Sequence, residues 1–330
     1  MSGQASGAST IGHELPVLSQ PDTGAGERLD TRGAARKLLR LAVRKPLGTL
    51  GVAIIAALAL VAVTAPIASR YAPDESFTRR NPGFDPTSTD YYRTDRNEFV
   101  LDAKSAPSMD HWLGTDDAGR DIWSRIVWGT RRSLGIGVAA LAVSLTIGAA
   151  LGIVSGYFGG LIDTVMQRFM DALQAFPALL ILILAASAFE LTLRNLVLAL
   201  GFVGIAQVSR LVRGKVLSIR AMPFIEAGRV IGASDLRLMV FHILPNTAGT
   251  IIVVFTMGLG TVILAEASLS FLALTPPGVS WGQMLNSGRN FINSSPWQAV
   301  FSGLAITLAV LAFNLAGDAL RDVLDPRLRV

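Results

Sequence analysis

His111, Asp116, Asp117 and Asp121 crowd one short stretch, with Arg120 and Arg125 beside them. Clustered carboxylates attract hard cations, but these lack the D-x-[DN]-x-[DN]-G order of a calcium loop, so metal binding is not expected. A structural brace suits them better than a substrate contact: Asp121 lies four residues before Arg125, where opposite charges meet on one helical face. Glu266 is the second candidate. It interrupts an apolar run, and an acid at membrane depth is costly enough to be a functional candidate by default. The alternative is a place near the outer end of the run, capped by Ser268 and Ser270. Other chemistries lack their residues. Without cysteine there is no disulfide, thiolate metal site or Cys nucleophile, and the three scattered histidines argue against a His-metal cluster. No G-x-x-x-x-G-K-[ST] run supplies a phosphate cradle, and the absence of H-E-x-x-H, Ser/His/Asp or paired-acid constellations disfavours a membrane-embedded enzyme.

The elements that must position these residues are apolar. The chain has 330 residues, 51% hydrophobic and 16% charged, against roughly 25% charged in a soluble domain. Only Glu190, Arg194 and Glu266 place a charge within 46–69, 133–157, 175–209, 246–288 and 290–317. These segments are long enough to cross a bilayer, and we read an all-α integral membrane protein. The net charge of +5 is what cytoplasmic loops confer on such a chain and needs no nucleic-acid partner.

Residues 1–45 read as a disordered cytoplasmic tail ending in a basic cluster (Arg28, Arg32, Arg36, Lys37, Arg40, Arg44 and Lys45), without the pattern of a secretion signal. Helix one is expected over 46–69 and a small extracytoplasmic segment over 70–131. Helix two follows from Ser133 to Tyr157, with Gly148, Gly152 and Gly156 spaced for close packing against another helix. Ile162–Leu173 alternates as an amphipathic interfacial helix. Helix three is expected from Phe176 to Phe189, four from Asn195 to Val212, five from Asn246 to Leu274 and six from Trp297 to Gly317, before a cytoplasmic tail, 318–330. With both termini cytosolic, the inside segments hold seven, one, six and three Lys or Arg, and the two short outside loops hold Arg194 and Arg289. That asymmetry supports the orientation.

The cytosolic segment 220–245 carries the densest punctuation. Pro223 suits a first helical position, Gly232 a left-handed stop, Ser234 an N-cap and Pro245 the return to the membrane. Either a helix-turn-helix elbow or an ordinary connecting loop fits these signals.

Glu226, Ala227, Gly232, Leu244 and Pro245 match the EAA signature of ABC importer permeases without a gap, although Gly228 replaces the usual third Ala and His242 a common Ile. The His242-Ile243-Leu244-Pro245-Asn246 run resembles the peptide branch. Gly114, Thr115, Asp116, Gly119, Arg120, Asp121 and Arg125 resemble the signature that precedes helix two in the dipeptide/oligopeptide/nickel permeases. Gly156-Tyr157-Phe158-Gly159-Gly160 with Asp163 and Asp171, and Ala312 through Arg327, are similar to the same branch.

The resemblance implies a six-helix, type I importer permease, the second membrane subunit of a dipeptide/oligopeptide system in a prokaryotic cell membrane. It further implies a homologous second permease, two cytosolic ATPases that hold the ATP and Mg, and an extracytoplasmic solute-binding protein, with no cofactor on this chain. Glu226, Ala227, Gly228, Arg229, Gly232, Ala233, Ser234 and Asp235 would contact the ATPase. Nickel, heme or glutathione are alternative cargoes, and a proton-coupled secondary transporter acting through Glu266 is the reading from another class.

Overall fold

The structure, a computed structural model, describes residues 45–81 and 99–324. The tail through Arg44, residues 82–98 and the C-terminal end from Asp325 lie outside the described residues. Helix α1 (Pro46–Val63) and the short α2 (Ala65–Ala68) divide what the sequence suggests as one span to Ser69. Pro66 brings no N–H to the ladder, and Thr64 Oγ1 turns back to donate to the Leu60 carbonyl at 2.7 Å. Strands β1 (Thr78–Arg80) and β2 (Phe99–Leu101) then form a small antiparallel hairpin, with Arg79 opposite Val100.

Helix α3 (Ile122–Phe158) begins well before the expected Ser133. The apolar pattern starts late because Arg125, Arg131 and Arg132 occupy its first turns, yet the Asp121 carboxylate caps the helix by accepting from Ser124 N at 2.8 Å. Its 37 residues span about 55 Å, against a hydrocarbon core of about 30 Å. The rod must therefore project beyond the bilayer.

Helix α4 (Gly160–Gln174) is the expected amphipathic element, and α5 (Ala178–Ala188) the apolar one after it. The two meet at 80°. At 11 residues α5 is too short to cross alone: the described residues contain five helices long and apolar enough to cross, and the expected six spans are reached with the bent pair as one. Helix α6 (Leu193–Arg220) outlasts the expected end at Val212, so Arg213, Lys215 and Arg220 stand on a helix rather than a loop.

The elbow comprises α7 (Pro223–Val230) and α8 (Asp235–Arg237). A π-helical turn, Leu238–Ile243, joins α8 to α9 (Leu244–Phe271) without a break. Pro245 thus does not start helix five, as expected from its missing N–H. The widened turn accommodates the proline, and Asn246 Nδ2 donates to the His242 carbonyl at 2.6 Å. Helix α10 (Trp281–Arg289) was not anticipated, and α11 (Trp297–Leu324) continues past Gly317 into the expected tail. Asp322 on that extension pairs with Lys45 at the start of α1.

The principal packing is α3 on α6. A Cβ at Gly148 would lie 2.8 Å from the Ile205 carbonyl oxygen, at Gly152 2.6 Å from that of Ser209, and at Gly156 2.8 Å from Val216 Cβ. The glycines act in close packing, as their spacing indicates. Gly152→Leu is expected to separate the pair and cost at least about 3 kcal/mol, measured as a lower unfolding temperature in detergent with no change for the open Gly135→Ala. On the other flank of α3, Trp281 is wholly buried and donates from Nε1 to the Ile126 carbonyl at 3.1 Å. Gly282 lets α10 sit directly on α9, where a Cβ would fall 2.5 Å from the Ala267 carbonyl oxygen.

Candidate functional site

The elbow is set by its stop signals. Gly232 has φ +79, a left-handed conformation in which a side chain is strained. Its N–H donates to the Arg229 carbonyl and that of Ala233 to the Gly228 carbonyl, both at 3.0 Å, closing the end of α7. Ser234 Oγ accepts from Arg237 N and starts the next helix. At Gly228 a Cβ would meet only Leu238 Cδ2, at 2.8 Å, the movable end of a side chain, so the elbow can take the usual Ala there with a small shift.

Ile225 is buried beneath the turn, whereas Val230 and Ile231 are each 83% exposed, with Phe224, Leu236 and Phe241 also exposed nearby. Ala227 and Glu226 are on the exposed side of α7. Arg229 does not simply point outward. Its guanidinium carbon lies 5.1 Å from the centre of the Tyr157 ring.

At the opposite end of α3 the acidic stretch folds into a cap. Asp116 is 1% exposed and accepts from Ala118 N at 2.9 Å, Arg120 N at 2.8 Å and Arg120 Nε at 2.8 Å. Arg125 Nε stands 3.6 Å from the same carboxylate, and Arg125 Nη1 donates to the Pro73 carbonyl at 2.7 Å and to Asp74 at 3.1 Å. The expected Asp121–Arg125 pair therefore does not form. Asp121 is committed to capping α3 and to His111 Nδ1 at 3.0 Å, because an N-cap side chain points at the first-turn N–H groups rather than along the helix.

Gly114 and Gly119 take positive φ at the turns, and Thr115 Oγ1 accepts from Ser105 N at 2.9 Å. Asp117 is exposed and takes no part. The carboxylates thus face donors of this chain, as bracing groups do.

Glu266 is 1% exposed, near the end of α9 that faces the cap. It accepts from Ser270 Oγ at 2.8 Å and from Ser133 Oγ of α3 at 3.1 Å. The expected contact from Ser268 is absent, since that hydroxyl donates to the Leu264 carbonyl at 2.8 Å. Ser270 in turn meets Thr275 Oγ1 at 3.1 Å and Ser280 Oγ at 3.2 Å. Arg132 holds the same loop through the Pro276 and Pro277 carbonyls at 2.7 and 2.9 Å. The acid is the centre of a polar knot joining α3, α9 and the segment leading to α10. Glu266→Gln keeps one acceptor oxygen and brings an amide donor for the second hydroxyl, and is expected to leave thermal stability in detergent near wild type. Glu266→Leu strands the buried hydroxyls at about 1–3 kcal/mol, read as reduced thermal stability in detergent.

Sequence reasoning missed the contacts that fasten the elbow end. Tyr157 Oη donates to Asp235 Oδ1 at 2.5 Å. Asp163 of α4 receives Arg213 Nε and Nη2 of α6, each at 2.5 Å, and Ser155 Oγ. Asp171 pairs with Arg210. The available signal was the acids two turns apart on one face of α4 and the arginines one turn apart on α6.

Apolar helices long enough to cross a bilayer, packed through glycines, with a bent helix pair and an exposed apolar elbow, define an integral membrane protein of several spans. Residues 148–330 match the family described as "Binding-protein-dependent transport system inner membrane component". The chain is 38% identical over 296 residues, 89% of its own length and 90% of the relative's, to the dipeptide transport system permease protein DppC of Alkalihalophilus pseudofirmus. It is 44% identical over 225 residues, 68% of this chain and 75% of the relative, to the glutathione transport system permease protein GsiD of Pectobacterium atrosepticum. The Escherichia coli O157:H7 protein of the same name is 45% identical over 227 residues, again 68% and 75%. The chain belongs to this family of binding-protein-dependent inner-membrane permeases, with the type I importer fold.

Proposed function

We propose that this chain forms, with a homologous second permease, the path by which an ABC importer carries short peptides into a prokaryotic cell. In this reading the elbow end is cytosolic, as the Lys and Arg asymmetry favours, and the cap is extracytoplasmic, beneath a solute-binding protein. The exposed apolar tip at Val230 and Ile231 carries the proposal, because a short elbow braced from below and apolar above is suited to a groove on another protein. Residues 226–229 and 232–235 would seat in one of two cytosolic ATPases that hold ATP and Mg. Closure of the ATPases would displace the elbow and shift the spans between outward-open and inward-open states, a population shift driven by differential contact. Cargo selection would lie with the binding protein.

The test is purification through a tag on this chain, followed by reconstitution. Two ATPases should remain bound, and labelled dialanine should enter liposomes only with ATP and the binding protein. Uptake by the lone chain without ATP would refute the proposal in favour of secondary transport. The relatives named for glutathione, itself a small peptide, give the second cargo reading, decided by competition between glutathione and dialanine.

A further inference from the structure

From the contacts at its ring and hydroxyl, we infer that Tyr157 is the positioning residue through which displacement of the elbow is passed to α3. The inference rests on the proposed function and goes beyond it, since the elbow signature ends on residues 226–235 and does not include α3.

Tyr157 is 3% exposed at the last turn of α3. It touches both halves of the elbow: Arg229 of α7 lies over its ring at 5.1 Å, and Asp235, the first residue of α8, accepts from its hydroxyl at 2.5 Å. The elbow is covalently continuous with α6 and α9 but reaches α3 only by contact. The apolar part of that contact, in which Ile225, Leu238 and Ile243 cluster with Tyr157 and Ile153, is non-directional and permits rolling. A hydrogen bond to a carboxylate is directional and stronger.

The same two rods are tied again at their other ends, Ser133 of α3 to Glu266 of α9. Residues 133 and 157 lie about 36 Å apart along a helix, beyond the thickness of the hydrocarbon core. Between the ties α3 and α9 meet through smooth apolar contacts, such as Gly137 against Ile263 and Gly258 against Leu141. The pair is therefore pinned by side-chain hydrogen bonds at two heights, with smooth apolar packing between them. The pin at the elbow end is the one an ATPase can move, and the glycine seam makes α6 follow α3.

The experiment uses the full complex with its ATPases and binding protein in proteoliposomes, and reads ATP hydrolysis and dialanine uptake in parallel. Tyr157→Phe keeps the ring and loses the hydroxyl. It should assemble and hydrolyse ATP while the uptake-to-hydrolysis ratio falls about tenfold, the equivalent of one charge-assisted hydrogen bond. Asp235→Ala, which also alters the proposed ATPase contact, should lower the ratio at least as far, and adding Tyr157→Phe to it should lower it no further, because the shared interaction is already gone. Asp235→Asn, which keeps an acceptor oxygen, should restore much of it. A wild-type ratio in Tyr157→Phe overturns the inference alone, as does a parallel fall of hydrolysis and uptake, or loss of assembly, which mark a merely structural tyrosine. A wild-type complex without ATP-driven uptake overturns the proposed function and this inference together.

Discussion

Deletion of Gly232 is expected to reduce ATP-driven uptake more than 100-fold, an effect above about 2.7 kcal/mol, while the protein still inserts in the membrane. The loss follows from geometry. Gly232 holds φ +79 and its N–H closes α7 on the Arg229 carbonyl. Without it Ala233 must take the left-handed position, at about 1–2 kcal/mol. The following helix also starts one residue early, turning Ser234 and Asp235 by about 100°. Asp235 then leaves Tyr157, and Val230 and Ile231 change direction relative to the bundle. Parallel measurement of ATP hydrolysis and uptake in proteoliposomes checks this, with membrane fractionation to confirm insertion. Glu226→Lys should uncouple less severely, placing a cation in the first turn of α7 where the helix dipole favours an anion. Wild-type coupling in both variants would refute the assignment of the elbow.

Asp116→Ala is expected to destabilise the cap by about 3–5 kcal/mol, the range for removing one partner of a buried ion pair. The carboxylate is 1% exposed and answers Arg120, Arg125 and two backbone N–H groups. Its loss leaves the Arg125 guanidinium, itself 6% exposed, with Asp74 as its one acidic partner among the described residues. Asp121→Ala should cost less, about 1–2 kcal/mol, as a lost helix cap. Asp117→Ala, on the exposed neighbour, should stay within about 0.5 kcal/mol. Thermal unfolding of the three detergent-solubilised variants orders these effects, and equal losses at 116 and 117 would contradict the network described.

The glycines of α3 and the punctuation of the elbow were legible because each signal is local. A small residue every fourth position needs a close neighbour, and a Pro, Gly and Ser at the right offsets need two caps. Helix ends within apolar segments were less legible. The start of α3 at Ile122 is hidden under Arg125, Arg131 and Arg132, which are paired, bonded to carbonyls or exposed outside the apolar layer, and hydropathy treats them as loop. The end of α6 and the continuation through Pro245 failed for the same reason: charge and proline are read as breaks, although a helix can leave the bilayer or widen by one turn without stopping. Of the candidate residues, Glu266 was found by its cost and Asp116 by its company. Tyr157 stands in the sequence only as part of the Gly156–Gly160 motif, without a role, because an aromatic residue at the end of an apolar run carries no chemical pattern of its own; only the chain folding back at 235 gives it a partner. The partner chosen for Arg125 was wrong for a similar reason, since spacing along the helix could not reveal Asp74 and Asp116 arriving from outside it.

The length of α3 has a consequence for how signals from the two sides of the membrane meet. Its first turns are built into the acidic cap and its last into the elbow, so one uninterrupted helix joins the two sites. In the proposed importer, cargo arrival at the cap and nucleotide state at the elbow would need no separate messenger, because each would act on the same piece of backbone.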